Sequence, residues 1–304
     1  MSRARVALRR RAGADGLTDD AATRRRSVVT ENRAASVDGT KRTLVVVIED
    51  ASVNESASYL RKKTIGSGTY SGKEWTERFE APGQCVRATA GGAGAATTRM
   101  FMATSPYSVR EASANWDSAK VEFLVDGKRH PEALTGAKPG DAFRVSEPLG
   151  RGFSNVLFAE RSLEAAMRKG HSLVVIACDT DGLASAASLF DWQPVLAYAD
   201  AHPVTLFYLC ESQESAALVA SHDDWRAAGF KIIPCYGSLS DQIFMMEQCF
   251  LTGALAAGGK PTILGASADK CSALLAGAEG ETASRILHLL TDRGLARDNI
   301  LTPN

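Results

Sequence analysis

No two cysteines stand at C-x-x-C spacing; the six, at 85, 178, 210, 235, 249 and 271, are scattered along the chain. That spacing excludes a zinc ribbon and a disulfide framework, and it predicts reduced, mostly buried thiols of an intracellular or organellar protein. The five histidines do not cluster either. No apolar run approaches the roughly 18 residues that a spanning helix requires, and no secretory apolar segment follows the N-terminus. Charge of either sign is in no excess. Lys plus Arg and Asp plus Glu each number 35, so the whole chain has no electrostatic bias toward nucleic acid or anionic membrane.

What is present is an apolar fraction of 45% over 304 residues, enough for two domains with cores of their own. Charge is biased locally. Residues 1–26 contain eight arginines and no lysine. Two readings of this segment stay open: an organelle transit peptide, which Asp15, Asp19 and Asp20 argue against, and a retained basic arm that contacts a partner. Residues 1–42 are polar and aperiodic and are read as an extension.

Residues 43–160 then show short β-like runs at Thr43–Glu49, Trp75–Glu80, Cys85–Ala90, Thr98–Ala103, Val121–Val125 and Ala142–Ser146. Turn signals separate them, and 131–136 suits a short helix. This rhythm predicts an antiparallel β-barrel or sandwich. From 161 to 304 apolar strands alternate with helical segments. Strands are expected at 172–178, 203–209, 230–236, 261–266 and 299–302, and helices near 183–191, 212–228, 241–257 and 281–293. Alternation of this kind predicts a doubly wound parallel sheet. The continuous runs Leu173–Ala177 and Val204–Leu209 suit strands covered on both faces. The most unusual segment lies here. The strand Ser172–Cys178 enters a helix through Asp179-Thr180-Asp181-Gly182. Such strand-to-helix turns are where α/β proteins bind phosphates, yet this one carries two carboxylates.

The order of barrel and α/β unit, together with several turns, resembles the ferredoxin–NADP reductase superfamily. Pro82-Gly83-Gln84 is similar to its P-G-Q turn. Arg99-Met100-Phe101-Met102 followed by Ser105-Pro106 is similar to its flavin motif, R-x-Y-[ST] before an S-P turn. Lys138-Pro139-Gly140-Asp141 and Ser146-Glu147-Pro148-Leu149-Gly150 match further barrel turns. The resemblance implies an N-terminal FAD-binding barrel and a C-terminal NAD(P)-binding domain. It implies that Arg99 contacts a flavin diphosphate and that Phe101 packs on the flavin. By the same resemblance Met102 stands where a hydroxyl residue would face the reactive edge, Ser105 would sit in the small-residue turn, and Gly127 with Lys128 would meet the diphosphate. In the second domain Gly182 and Gly265 would shape the nicotinamide nucleotide site.

The departures fall on phosphate-facing positions. Asp179 and Asp181 replace a glycine-rich loop, Glu211 stands where a phosphate-binding arginine is expected, and Leu264 replaces a cysteine beside Gly265. Like charges a few ångströms apart repel by on the order of 1 kcal/mol or more. A divalent cation held by Asp179 and Asp181 is an alternative. The expectation is therefore a reductase-like module with little or no hydride transfer, for which FAD remains a candidate cofactor and NAD(P) has lost its contacts. The alternative is a non-catalytic structural or linker subunit of a larger organellar electron-transfer complex, joined to protein partners by the basic arm. The resemblance tilts the location toward the plastid rather than the mitochondrion.

Overall fold

The computed structural model describes residues 24–49, 75–90, 97–113, 118–154, 160–256, 262–264 and 266–303. Six antiparallel strands form the first unit: β1 (Arg25–Ala34), β2 (Lys41–Glu49), β3 (Cys85–Thr89), β4 (Thr97–Phe101), β5 (Ser118–Asp126) and β6 (Ala142–Val145). Their order is β4-β3-β6-β1-β2-β5. An antiparallel bridge from Met102 to Phe123 joins the ends of that list, so the sheet closes into a barrel. The interior is apolar, with Val46, Ile48, Val86, Met100, Val121 and Phe123 all fully buried.

Two expectations are corrected here. Residues 25–34, placed in the extension, form a central barrel strand that pairs with β2 and β6. Only Ser27 and Val29 of that strand are buried, so its polar sequence reflects one solvated face rather than an arm. The segment at 75–80 is not a strand; Trp75–Arg78 forms a helical turn, α1, with Trp75 buried and its Nε1 donating to the Ser146 carbonyl at 3.0 Å. The expected turns are present. Gln84 accepts from the N–H groups of Glu80 and Ala81 and donates to the Arg78 and Gly150 carbonyls, and the Asp141 carboxylate accepts from the Lys138 N–H. Two further helices border the barrel, α2 (Pro106–Ser113) and α3 (Glu132–Thr135).

After α4 (Leu163–Arg168) comes the parallel sheet. It contains β7 (Ser172–Cys178), β8 (Val204–Cys210) and β9 (Lys231–Tyr236), a small hairpin of β10 (Thr262–Ile263) and β11 (Ala266–Ser267) standing apart, then β12 (Cys271–Ala276) and β13 (Ile300–Leu301). The five-stranded order is β13-β12-β7-β8-β9. Helices α5 (Asp179–Phe190), α6 (Gln193–Ala199), α7 (Ser221–Ala227), α8 (Leu239–Ala256) and α9 (Gly280–Asp292) cover it. The fourth strand of the sheet is thus 271–276 and not 261–266, whose two short strands pair only with each other. The sequence CSALLA is small and partly polar, yet all six residues are buried. A strand beneath two helices needs small side chains as much as large ones. The helix expected over 212–228 is confined to α7.

Helix α5 wedges between the two units. All but Asp179 and Asp181 of its twelve residues are buried, as expected of a helix with neighbours on every side. Phe101 and Leu124 of the barrel share one apolar cluster with Leu183, Ala186 and Leu189 of this helix. Among the described residues, no helix is long and apolar enough to cross a membrane, and all six cysteines are free thiols.

Candidate functional site

In open α/β sheets, ligands bind beyond the carboxyl ends of the strands where the chain order reverses. Here that point lies between β7 and β12. Asp179 opens α5 there with a φ of +55°, a conformation that short polar side chains tolerate better than others. Asp179 and Asp181 both sit in the first turn of α5, where the positive end of the helix dipole favours carboxylates. Glu211 follows directly after β8.

Facing them is the turn after β5. The Asp126 carboxylate builds it, since Oδ1 accepts from the N–H groups of Lys128 at 2.8 Å and Arg129 at 3.0 Å. Its Oδ2 accepts from the Thr180 hydroxyl at 2.7 Å, which ties the turn to α5. Burial pushes the Asp126 carboxyl up, but these three hydrogen bonds together hold it below its ordinary value. The turn then delivers two cations across the seam. Arg129 Nη2 donates to Asp179 Oδ2 at 3.1 Å and Nη1 to Asp181 Oδ2 at 3.2 Å, while Lys128 Nζ donates to both Glu211 oxygens at 2.6 Å. The cation between the two aspartates is therefore a guanidinium of the chain itself.

These pairs differ in weight. Lys128 and Glu211 are both about two-thirds exposed, and such a pair contributes about 0–1 kcal/mol. Asp181 is different. Its side chain is 16% exposed, and its Oδ1 is buried with no hydrogen-bond partner among the described residues. Burial raises its pKa, opposed by His130 and Arg129. Removing Arg129 leaves a buried, uncompensated carboxylate. Arg129→Ala should therefore destabilise the protein by about 2 kcal/mol, between the about 0–1 kcal/mol of an exposed pair and the about 3–5 kcal/mol of a buried one. Adding Asp181→Asn should recover at least half of that loss in urea unfolding, and purely additive losses would contradict the pairing.

The predicted site residues separate into groups. Lys128 lies in the bridge and Gly127 in the turn that carries it. Gly182 serves packing, since a Cβ there would lie 2.5 Å from the Ala276 carbonyl oxygen. Ser105 caps α2 by accepting from the Ser108 N–H, and its own N–H donates to Asp191 Oδ2 at 3.0 Å across the seam. The Met102 side chain is fully buried in the barrel core. Phe101 is 8% exposed and packed into the shared cluster. Arg99 is exposed on β4. Gly265 lies outside the described residues. Leu264 lies between β10 and β11 of the small hairpin, whereas the turn that closes the strand beside β7 is Ala276-Gly277. Sequence reasoning missed Asp126, Thr180, Asp191 and Gly277. The run Asp126-Gly127-Lys128-Arg129 carried one signal, an acidic residue placed to cap a basic turn.

These residues do not fit a dinucleotide. Three carboxylates occupy the strand ends, and the glycine expected to admit a pyrophosphate is closed by backbone. For a flavin, Arg99 is open, but the Phe101 ring is covered and Lys128 is paired.

No protein-family model and no curated protein matches the chain. Solved structures do match. A cytochrome P450 reductase from Amycolatopsis superposes with a TM-score of 0.59 at 13% identity, covering 92% of this chain and 69% of that one. Ferredoxin-NADP+ reductase from Plasmodium falciparum gives 0.57 at 9% identity, covering 93% and 97%. The flavohem-like FAD/NAD binding domain of nitric oxide dioxygenase from Vibrio cholerae gives 0.55 at 12% identity, covering 91% and 97%.

Proposed function

We propose, from the ferredoxin–NADP reductase fold that this chain has, that the protein is a relative that no longer transfers hydride from NAD(P)H and serves as a structural or linker subunit of a larger electron-transfer assembly. One observation carries this reading: the carboxylates of the strand-end loop are bonded to the cations of the barrel turn. The positive charge that would face a cofactor diphosphate is neutralised by Asp179, Asp181 and Glu211. A dinucleotide would have to displace these pairs and then sit against the carboxylates. An organellar setting, the plastid before the mitochondrion, follows from the family resemblance and belongs to the same proposal.

A second reading is a protein that keeps FAD alone, favoured by the exposure of Arg99. In either case the chain's own residues hold the two units together through the bridge and α5, and a bound flavin would supply electron storage without a nicotinamide donor.

The visible spectrum of the purified protein separates the two readings. Bound flavin absorbance supports the second and excludes the purely structural one. For the dinucleotide, the expected result is no bleaching of any bound flavin by NADH or NADPH in stopped flow. Asp179→Gly/Asp181→Gly should tighten NADPH binding at least about tenfold, equal to about 1.4 kcal/mol, because it removes the repulsion and frees Arg129. Fast bleaching of the unmutated protein would overturn the proposal.

A further inference from the structure

The outer face of the barrel carries three arginines without an acidic partner among the described residues, and the inference drawn from them rests on the first reading above, in which no flavin occupies Arg99. Along β3 the residues Val86 and Ala88 point inward and are fully buried, as are Met100 of β4 and Val145 of β6. Alternation therefore places Arg87, Arg99 and Arg144 on the outer face. The strand register makes them neighbours. Arg87 lies directly opposite Arg99, and Arg144 lies opposite Thr89, two residues along β3 from Arg87. Like charges directly opposite on adjacent strands destabilise a sheet. Among the described residues, none of the three makes a side-chain hydrogen bond or ion pair. Carboxylates on and beside the neighbouring strands are already engaged, Glu31 by Arg33 and Lys120, Glu49 by Arg26, and Glu147 by Arg25 and Arg78. Thr89 and Thr97, bonded to each other at 3.0 Å, continue the polar face, and Arg24 donates to Thr89 at 2.5 Å.

We infer that this face is a docking surface for an acidic, extended segment of a partner protein. The guanidinium fork matches a carboxylate with two parallel hydrogen bonds. Arginines on neighbouring strands and at alternate positions stand about 5–7 Å apart. Carboxylates at alternate positions of an extended peptide repeat at about 7 Å. Single-stranded nucleic acid fits less well, because it needs aromatic platforms, and Phe101, the aromatic ring on this face of β4, is buried in the seam. A membrane surface fits less well too. Its binding draws on apolar insertion, and none of the exposed large hydrophobics, Val37, Tyr107, Val219, Phe244 and Leu251, lies on β3, β4 or β6.

The test uses the full chain and fluorescence anisotropy of a labelled peptide of alternating Glu and Ser. Relative to the unmutated protein, Arg87→Gln/Arg99→Gln/Arg144→Gln should bind it at least about tenfold more weakly. Arg226→Gln, which alters an exposed arginine on α7 paired with Asp223, should leave binding unchanged. Arg144→Gln alone should weaken it several-fold, which keeps the inference testable if the triple variant fails to fold. An oligo-dT probe and phosphatidylserine vesicles should bind equally well to the unmutated and triple-variant proteins. Unchanged peptide affinity in the triple variant would overturn the inference. So would selective loss of the oligonucleotide or the vesicles, or loss of flavin absorbance with peptide binding intact. The peptide measurement does not depend on the dinucleotide test, so either reading can fail alone.

Discussion

Gly277→Ala should destabilise the protein by about 3–4 kcal/mol. Gly277 closes β12 with a φ of +70°, the left-handed region, which costs an alanine about 1–2 kcal/mol. Its added Cβ would also lie 2.5 Å from the Gly182 nitrogen and 2.8 Å from the Gly182 Cα, and against the Cys178 carbonyl oxygen. All three are backbone atoms and cannot rotate away, so overpacking adds about 1–3 kcal/mol. Gly39 provides the comparison. It has the same φ of +70° but nothing within 4 Å of an added Cβ, so Gly39→Ala should cost only about 1 kcal/mol. Urea unfolding of the two variants isolates the close approach, and equal losses would show that Gly182 and Gly277 do not abut. This contact matters for function because it seats the N-terminus of α5 directly on the sheet edge. Both glycines face backbone there, so the fold keeps them for packing and not for phosphate.

Acid should remove about 3 kcal/mol of stability through His222 alone. This residue lies in the first turn of α7 and is buried, stacked on Trp225 at 5.4 Å between ring centroids and edge-on to Tyr208 at 6.1 Å. Its Nε2 has no hydrogen-bond partner among the described residues. Burial, with a smaller push from Arg226, lowers its pKa from 6.5 to about 4. Above pH 6.5 both the folded and unfolded forms are neutral, and stability does not depend on this group. As pH falls from 6.5 toward 4, the unfolded chain takes up the proton first and stability is lost. Below about 4 both forms are charged and the loss levels off. The shift of 2.5 units corresponds to about 3 kcal/mol at about 1.4 kcal/mol per unit. His171, also lowered mainly by burial, acts with the same sign. The decisive comparison is therefore with His222→Phe, which keeps the ring and removes the proton. Its stability should fall much less between pH 6.5 and 4. Matching acid limbs for the two proteins would contradict the assignment.

Much of the architecture was legible locally. Asp141 acts on a backbone group three positions away, and three of the four hydrogen bonds of Gln84 are as local, so spacing reveals these turns. The buried strands β7 and β8 were equally clear, because continuous apolar runs have few other uses. β1 and β12 were not clear. β1 is polar on one face, and only its pairing with β2 and β6 makes it a strand. β12 is small because the elements around it approach closely, which is a property of its neighbours.

At the site the division is sharper. The sequence by itself determined that the strand-to-helix loop is acidic, that Glu211 follows the next strand, and that Lys128 and Arg129 form a basic turn. Each is a statement about adjacent residues. Only the tertiary structure decided that these charges meet. The partners are separated by 50, 52 and 83 positions, and nothing local selects among so many possible pairings. Closure of the barrel against α5 brings the turn to the strand ends, and the short range of charge attraction in water then makes that proximity decisive. Read alone, the acidic loop repels a phosphate; beside Arg129, it is half of an internal bridge.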